Sequence, residues 1–546
     1  MPAALGPPYA SVTCRFFRCA GGGALADVSA FRGAWSPWSA WGRGRRGWAV
    51  AAAAALCVWI AWVGAIGSRF EVVAGGADSS GYLNGARLLA AGRASTDLRL
   101  PEEVRGVARP NEFMPLGFTV GRREEKAVPT YPPGLPLHFA LAAAVFGWNW
   151  GPLVVSLALA ALLPPLMVRA ARELGVSRPL AWAGAVVLMA SPVTLFGALQ
   201  PLSDLPAAVW SLGALTAALR ATRREAGRGP GGASLGWSMT CGVAVALAVA
   251  IRPTSALIIP ALVLILGCWR GWLGAALGGL PGALALGAYQ AALYGHPLTT
   301  GYGNILAALG PEWIGITVRS YAEWLPRVLP GLVWVLPAVG VFFLREPERR
   351  RRMLGLVVWV VTVAGFYATY PVTHEVWWCL RFLLPAFPAL VLAALLGAQA
   401  MVERTRGEGS ARWGTAGAVT LGLWAVALSW LWVPRLHLTA IGPAERVYRD
   451  AGRWVAGNLP PEAVVSSFAA SGALYYYSPM STLRFDDLRP GAGPEIVRRL
   501  HAAGRPVFAL VFEAERPSAQ ERLGVGRWVA VRNWGGLQLW RVEPDA

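Results

Sequence analysis

The sequence predicts an all-α polytopic membrane domain of about eleven spans that carries a small C-terminal α/β domain on the outer side. Three observations lead there. Hydrophobic residues make up 55% of the chain against 14% charged, with 27 tryptophans, a balance that a single aqueous core cannot absorb. Long apolar runs nearly free of charge recur along most of the chain. From residue 437 onward the pattern changes to amphipathic stretches alternating with short apolar ones, as in an α/β unit.

Residues 1–46, rich in Gly, Ala and Pro, predict a disordered cytoplasmic tail. The membrane domain follows over 47–436, with apolar runs at 48–67, 152–168, 180–199, 205–219, 235–250, 254–269, 272–294, 328–344, 354–370, 382–400 and 414–433. Most are long enough to cross a hydrocarbon layer of roughly 30 Å as helices, the form that satisfies every backbone group without water. The first run lacks a small-residue cleavage site and predicts an uncleaved anchor. Residues 68–133 form a first outer loop dense in both signs of charge, with juxtamembrane helices. The short run 134–147 predicts a helix lying in the outer interface. Beyond the last span, AERVYRDAGRWVAGNLP and PEIVRRLHAAG predict helices, and AVVSSF, PVFALVF, RWVAVRN and LQLWRVE predict strands of an extracytoplasmic domain over 437–546.

Orientation follows from arginine, because cytoplasmic loops hold an excess of positive charge. With the N-terminus inside beside Arg43, Arg45 and Arg46, every second connection should be basic. Five are: Arg169/Arg172/Arg178, Arg220/Arg223/Arg224/Arg228, Arg270, Arg345 with Arg349 to Arg352, and Arg404/Arg406/Arg412. The net charge of +19 is thus topology and anionic lipid, with no call for nucleic acid. Of the six cysteines, Cys57, Cys241, Cys268 and Cys379 lie in or near spans and Cys14 and Cys19 in the tail. They give neither a disulfide framework nor metal-ligand spacing.

Chemistry is sought where polar residues defy the membrane setting. In GGADSSGYLNGARLLAAG, Asp78 sits at the membrane surface just past the first span, with Tyr82 after it. The carboxylate there can act as a base, or it can cap the helix that begins near Gly81. In AVPTYPPGLPLHFALAAAVFG, Pro132 and Pro133 fix how the chain meets the interface, and Tyr131 and His138 are the polar handles, or else simply parts of a rigid turn. Asp204 in LQPLSDLPA, Arg252 in AIRPTSAL and Arg381 in WWCLRFLLP are isolated charges at the outer ends of spans. Such charges snorkel to the interface or meet an anionic partner, and an arginine fork suits a phosphate.

In order, ADSSGYLNGARLLAAGR, the YPPG stretch leading to an apolar helix ending in FG, SDLPA, IRPTSAL, YGHPLTTGYG and WWCLRFLLPAFPAL resemble the membrane-embedded glycosyltransferases of the GT-C fold. The likeness is closest to bacterial family 39-like and RgtA/B/C/D-like proteins, over roughly residues 48–400. It implies an EC 2.4 transferase, hexosyl or pentosyl, in the bacterial inner membrane. That enzyme would move a sugar, with inversion, from a polyprenyl-phosphate carrier to a lipid, polysaccharide or protein acceptor on the outer face. Asp78 would be the base, with Tyr82, Tyr131, His138, Asp204, Arg252 and Arg381 binding substrate.

Two departures stand beside the resemblance. Many family 39 members pair two acids in the first loop, whereas Ser79 follows Asp78 here. The lipid A aminoarabinose branch has a lysine before the two prolines, whereas this chain has Tyr131. Lys126, the one lysine of the chain, lies five residues earlier, and with Arg122 and Arg123 it could supply that charge or be part of a solvated loop. The sequence points to no certain cofactor, and a divalent metal bridging carrier phosphate and Asp78, which needs few protein ligands, is the one candidate. Asp486 and Asp487 in RFDDL look catalytic at a glance but belong to a solvated turn. The competing reading is a transporter or flippase of lipid-linked substrates, which should show pseudo-symmetric halves, and no clear repeat is found. A scaffold presenting the C-terminal domain is the third.

Overall fold

The computed structural model describes residues 45–123, 125–223, 233–404, 409–524 and 526–543. The expected tail with Cys14 and Cys19, and Arg43, Arg224, Arg228 and Arg406, lie outside the described residues. Each of the eleven apolar runs falls on helical chain. After α1 (Arg45–Gly67) and α2 (Asp78–Ala90) come α3 (Gly134–Phe146), α4 (Gly151–Glu173), the pair α5 (Arg178–Ala190) and α6 (Pro192–Ala198), α7 (Asp204–Ala221) and α8 (Leu235–Ile251). The second half holds α9 (Ile259–Leu266), α10 (Trp269–Tyr294), α11 (Glu312–Val328), α12 (Leu332–Gly340), α13 (Pro347–Ala368), α14 (Phe387–Arg404) and α15 (Gly409–Arg435). Among the described residues, five helices are long and apolar enough to cross a membrane, or seven if each of two bent pairs counts as one span. Four apolar helices are shorter. The chain is a membrane protein.

Breaks in the spans have local causes. α5 and α6 meet at 61° across Ser191–Pro192, where proline removes a helix donor and pushes its predecessor out of the helical region. A 104° corner follows α11 at Leu329, Pro330 and Gly331. No apolar run marks the stretch between 294 and 328, yet α11 is a full helix within it. It buries Thr317, Tyr321, Leu325 and Val328, a one-sided spacing that an apolar-run search does not register. α3 is 13 residues long, about 20 Å at helical rise, which is short for a span.

Two helices are enclosed nearly all round. α7 buries both faces from Asp204 to Ala221, and α14 buries every residue from Phe387 to Gly397, as expected of helices apolar on every side. A 3-10 stretch, Trp377–Ala386, leads into α14. At one end of the bundle the arginine-bearing connections gather around a cleft lined by Arg169, Arg172, Arg178, Arg223, Arg349 and Arg352. Arg404 lines the neighbouring cavity, and Gly267, beside Arg270, lies against the Arg351 guanidinium.

The first loop and the C-terminal region are built as one body. The loop carries a three-stranded sheet, β1 (Thr96–Asp97), β2 (Phe118–Val120) and β3 (Lys126–Pro129), in order β1-β3-β2. The C-terminal region folds as α16 (Ile441–Asn458), β4 (Val464–Ser466), α17 (Ser471–Tyr477), β5 (Ser481–Leu483), α18 (Ala492–Ala502), β6 (Val507–Phe512), α19 (Arg516–Leu523), β7 (Arg527–Trp534) and β8 (Leu537–Glu543). Its sheet runs β5-β4-β6-β8-β7. β4 pairs parallel with β5 and β6, and β8 antiparallel with β6 and β7.

Side-chain alternation divides β6 between two cores. Phe508 and Leu510 face Val455 and Leu474, while Val507, Ala509 and Val511 face Ile496, Leu500 and Leu523. Val104, Ala108 and Phe113 of the first loop complete the second core. A charge clamps the seam. Glu112, 1% exposed, accepts from Arg489 Nε at 3.0 Å and from its own loop at Arg109 N at 2.8 Å.

Replacing Glu112 with Ala leaves these donors without their acceptor, and the expected loss is roughly 1–3 kcal/mol. It should appear as a lower melting temperature of the purified protein together with faster proteolysis within residues 98–123. Unchanged melting and proteolysis would show that the seam rests on apolar packing alone.

Candidate active site

The polar residues expected at the outer ends of spans meet above the two enclosed helices. Asp78 is the first residue of α2 and Asp204 the first of α7, so each carboxylate faces the positive end of a helix dipole. Asp78 accepts from the Tyr131 hydroxyl at 2.6 Å and pairs with Arg381. Asp204, 1% exposed, pairs with Arg252 and lies 3.4 Å from Arg381 Nη1. Two carboxylates and two guanidiniums therefore form one continuous, formally neutral chain. Pairing of this kind is what makes charges tolerable where water is scarce.

Hydroxyls and rings fix the chain of charges. Tyr82 donates to Ser203 Oγ at 2.7 Å, and Arg252 reaches the same oxygen at 3.4 Å. Arg252 also donates to Tyr367 Oη from Nη2 at 3.0 Å and Nε at 3.2 Å. The Phe382 ring lies 5.1 Å from the Arg252 guanidinium and 5.2 Å from that of Arg381, within cation–π range. Tyr131 packs on Tyr82 at 4.7 Å between centroids and edge-on to Tyr302 at 5.7 Å. This placement needs Gly81, because a Cβ there would enter the Tyr131 ring.

Asp78 makes its contacts outward to Tyr131 and Arg381, so it serves the site and not as the cap of its own helix. Burial pushes its carboxyl up, but the Arg381 charge and the Tyr131 hydroxyl outweigh that and hold it below the ordinary carboxylate range. Burial and the Asp78 charge raise the Tyr131 hydroxyl well above its ordinary value, so it stays a donor. The Asp78 side chain keeps 27% exposure, enough to meet a substrate.

That exposure opens on two cavities. One, of about 300 Å³, is lined by Asp78, Tyr82, Tyr131, Arg252, Tyr302, Tyr367 and Arg381. The other, of about 600 Å³, is lined by Gly75, Asp78, Gln200, Trp377, Trp378, Arg381, His437 and Glu445. The Asp78–Arg381 pair belongs to both walls.

Six of the sequence-selected residues come together: Asp78, Tyr82, Tyr131, Asp204, Arg252 and Arg381. Two stand apart. Lys126 sits in β3 and pairs with Asp97 across the loop sheet, drawn there by strand register. His138 holds the Gly134 carbonyl at 2.7 Å and meets Trp210 edge-on at 6.0 Å. Arg122 and Arg123 line neither cavity. Asp486 and Asp487 pair with Arg484 in the C-terminal domain. Ser203, Thr254 and Tyr302 were missed although they sit inside quoted motifs. Tyr367 ends an apolar run with nothing to distinguish it.

Among the described residues no group of three or more His, Cys, Asp or Glu is placed to hold a metal. Both carboxylates of the site are already committed to guanidiniums, a donor set that does not suit a resident divalent cation.

No family model and no curated protein matches the sequence. Solved structures do. ArnT from Cupriavidus metallidurans bound to undecaprenyl phosphate is 14% identical with a TM-score of 0.51, the match covering 91% of this chain and 98% of that one. The apo state of the same protein gives 13% and 0.53 over the same shares. The Archaeoglobus fulgidus oligosaccharyltransferase tethered with an acceptor peptide is 12% identical with a TM-score of 0.51, covering 87% of this chain and 72% of that one. At such identities the likeness is one of architecture, and the architecture of this chain is the GT-C fold of membrane-embedded glycosyltransferases.

Proposed function

We propose that the protein is an inverting glycosyltransferase that moves a sugar from a polyprenyl-phosphate carrier to an acceptor on the outer face of the membrane. The observation that carries this reading is the Asp78–Arg381 pair standing in the common wall of two cavities. The smaller cavity, with Arg252, Arg381 and several tyrosine hydroxyls, suits the sugar phosphate of the donor. Guanidinium forks there can take up the charge that grows on the departing phosphate. The larger cavity suits the acceptor.

Asp78, ionised at neutral pH, takes the proton of an acceptor hydroxyl. The oxygen then bonds to the anomeric carbon as the bond from that carbon to the phosphate oxygen breaks, leaving polyprenyl phosphate and a protonated Asp78 that returns its proton to water. In the resting site Arg381 keeps Asp78 a weak base. A donor phosphate that draws on Arg381 would relax that hold and raise the basicity of Asp78 when it is needed. Support for the donor class comes from the shared fold, since ArnT was solved with undecaprenyl phosphate bound.

The full topology is part of the proposal. Eleven crossings from an N-terminus inside the bacterial inner membrane would place the gathered arginine connections in the cytoplasm and the C-terminal domain outside, in keeping with the positive-inside rule. A C-terminal epitope tag should then be removed by protease added to intact spheroplasts. A tag cut only after lysis would reverse the orientation.

Transfer, or slow acceptor-free hydrolysis, of labelled polyprenyl-phosphate sugar by protein in nanodiscs tests the mechanism. Asp78→Asn should lower turnover by about 10² or more with donor binding retained. Turnover equal to wild type would remove Asp78 from the chemistry.

At low donor concentration the pH dependence of the acceptor-free reaction reports the free enzyme, in which Arg381 holds Asp78 low. The base stays ionised above the ordinary carboxylate range, so hydrolysis should hold from pH 7 to 5 and fall only below about 4. A fall already complete at pH 6 would contradict an Arg381-paired carboxylate as the base.

A further inference from the structure

The second cavity holds a carboxyl group that the reaction above does not use. Glu445 stands in the first turn and a half of α16, just after the chain leaves the last span and turns at His437, whose φ of 51° places it in the left-handed region. α16 lies directly on the segment before Asp78. A Cβ on Gly442 would strike the Arg69 carbonyl, and one on Gly75 would land on the Glu445 carboxylate. Only glycine at position 75 leaves that carboxylate its place.

Glu445 makes no hydrogen bond or ion pair with any described residue. Cations stand close by and are used elsewhere. Arg446 and Arg449, one and four residues on, both pair with Glu71. Arg381, on the same cavity, pairs with Asp78 and Asp204. An unpaired carboxylate half out of water is costly unless it meets donors, and no donor of the cavity wall is bonded to it. Burial alone raises its carboxyl to about 7. The same cavity is lined by two indoles. Trp377 and Trp378 stand edge to face at 6.1 Å, and Trp378 keeps 42% exposure. An exposed indole face beside a carboxylate that lacks donors is a surface for a ring with an apolar face and a rim of hydroxyls.

We infer that Glu445 is a specificity-determining residue of the larger cavity, where its carboxylate accepts hydrogen bonds from the hydroxyls of a carbohydrate acceptor whose ring lies on Trp378. The inference rests on the reading of that cavity as the acceptor side, and it narrows the acceptor from lipid, protein or polysaccharide to a molecule presenting a sugar ring.

Its test uses binding, which does not depend on turnover. Affinities of a panel of p-nitrophenyl glycosides (glucoside, galactoside and mannoside) are measured by calorimetry on the full-length protein in nanodiscs, for wild type, Glu445→Gln and Gly75→Ala. At pH 8 at least one glycoside should bind wild type, and roughly tenfold more weakly to both variants, as for loss of a charged acceptor of hydroxyl hydrogen bonds.

The pH profile separates this role from a structural one. Protonation of Glu445 removes the acceptor, so wild-type affinity should fall between pH 8 and pH 6, while Glu445→Gln should be flat. The other titratable groups around this carboxyl are Asp78 on α2, Arg381 and His437 on the same cavity and Tyr448 on α16 itself, while Arg446 and Arg449 of α16 are held by Glu71 on the segment beneath. A limb that survives in Glu445→Gln belongs to one of them and overturns the inference, as does equal affinity in wild type and variant or no binding across the panel. Asp78→Asn, tested for donor hydrolysis in the same preparation, reports separately on the transferase reading. If that variant turns over like wild type the reaction assignment fails, whatever the glycosides do.

Discussion

Arg381 ties the site together. Its guanidinium lies between Asp78, at the start of α2, and Asp204, at the start of α7, partners 303 and 177 residues away in sequence. Neither acid could remain charged in so little water alone, and the helix dipoles at their backs supply only part of what is needed. Removing one partner of such an arrangement typically costs about 3–5 kcal/mol, because the remaining charge is stranded. The first loop, the central helix and the 3-10 lead into α14 are therefore held in register by one fork, and both cavities take their shapes from where that fork sits.

The same contact sets the chemistry available. Paired with Arg381, Asp78 is ionised and held still, but it is a poor base. Its basicity depends on how much of Arg381 it keeps. On the proposed reading the donor phosphate competes for that guanidinium, so arrival of substrate and readiness of the base become one event. On that reading Arg252, locked to Asp204, Ser203 and Tyr367, would give the phosphate a second, fixed partner.

Much of this was legible because membrane chains report their constraints bluntly. Apolar runs marked the helical segments, and isolated charges among them had to find each other, so Asp204, Arg252 and Arg381 could be singled out before any geometry was known. PVFALVF, apolar throughout, is expected as a strand, and it forms β6, which is buried on both faces. What stayed hidden was one-sided or relational. α11 buries a narrow stripe and so has no run to find. Lys126 is the only lysine of the chain, yet its address follows from pairing with β1, which no local signal gives. Tyr367 is one aromatic among many until Arg252 is placed against it.

The C-terminal domain belongs to this argument as well, since it is not an appendage. One face of its sheet is completed by Val104, Ala108 and Phe113 of the first loop. Asn84 of α2 donates to the Gly472 carbonyl at 3.1 Å, and a Cβ on Gly472 would strike Ser80. α2 thus presses against the domain with the residues that follow Asp78, while α16 presses against Gly75 just before it. Any change in how the domain sits must move the helix whose first residue is the proposed base, and the domain acts as part of the mould that fixes Asp78 against Arg381.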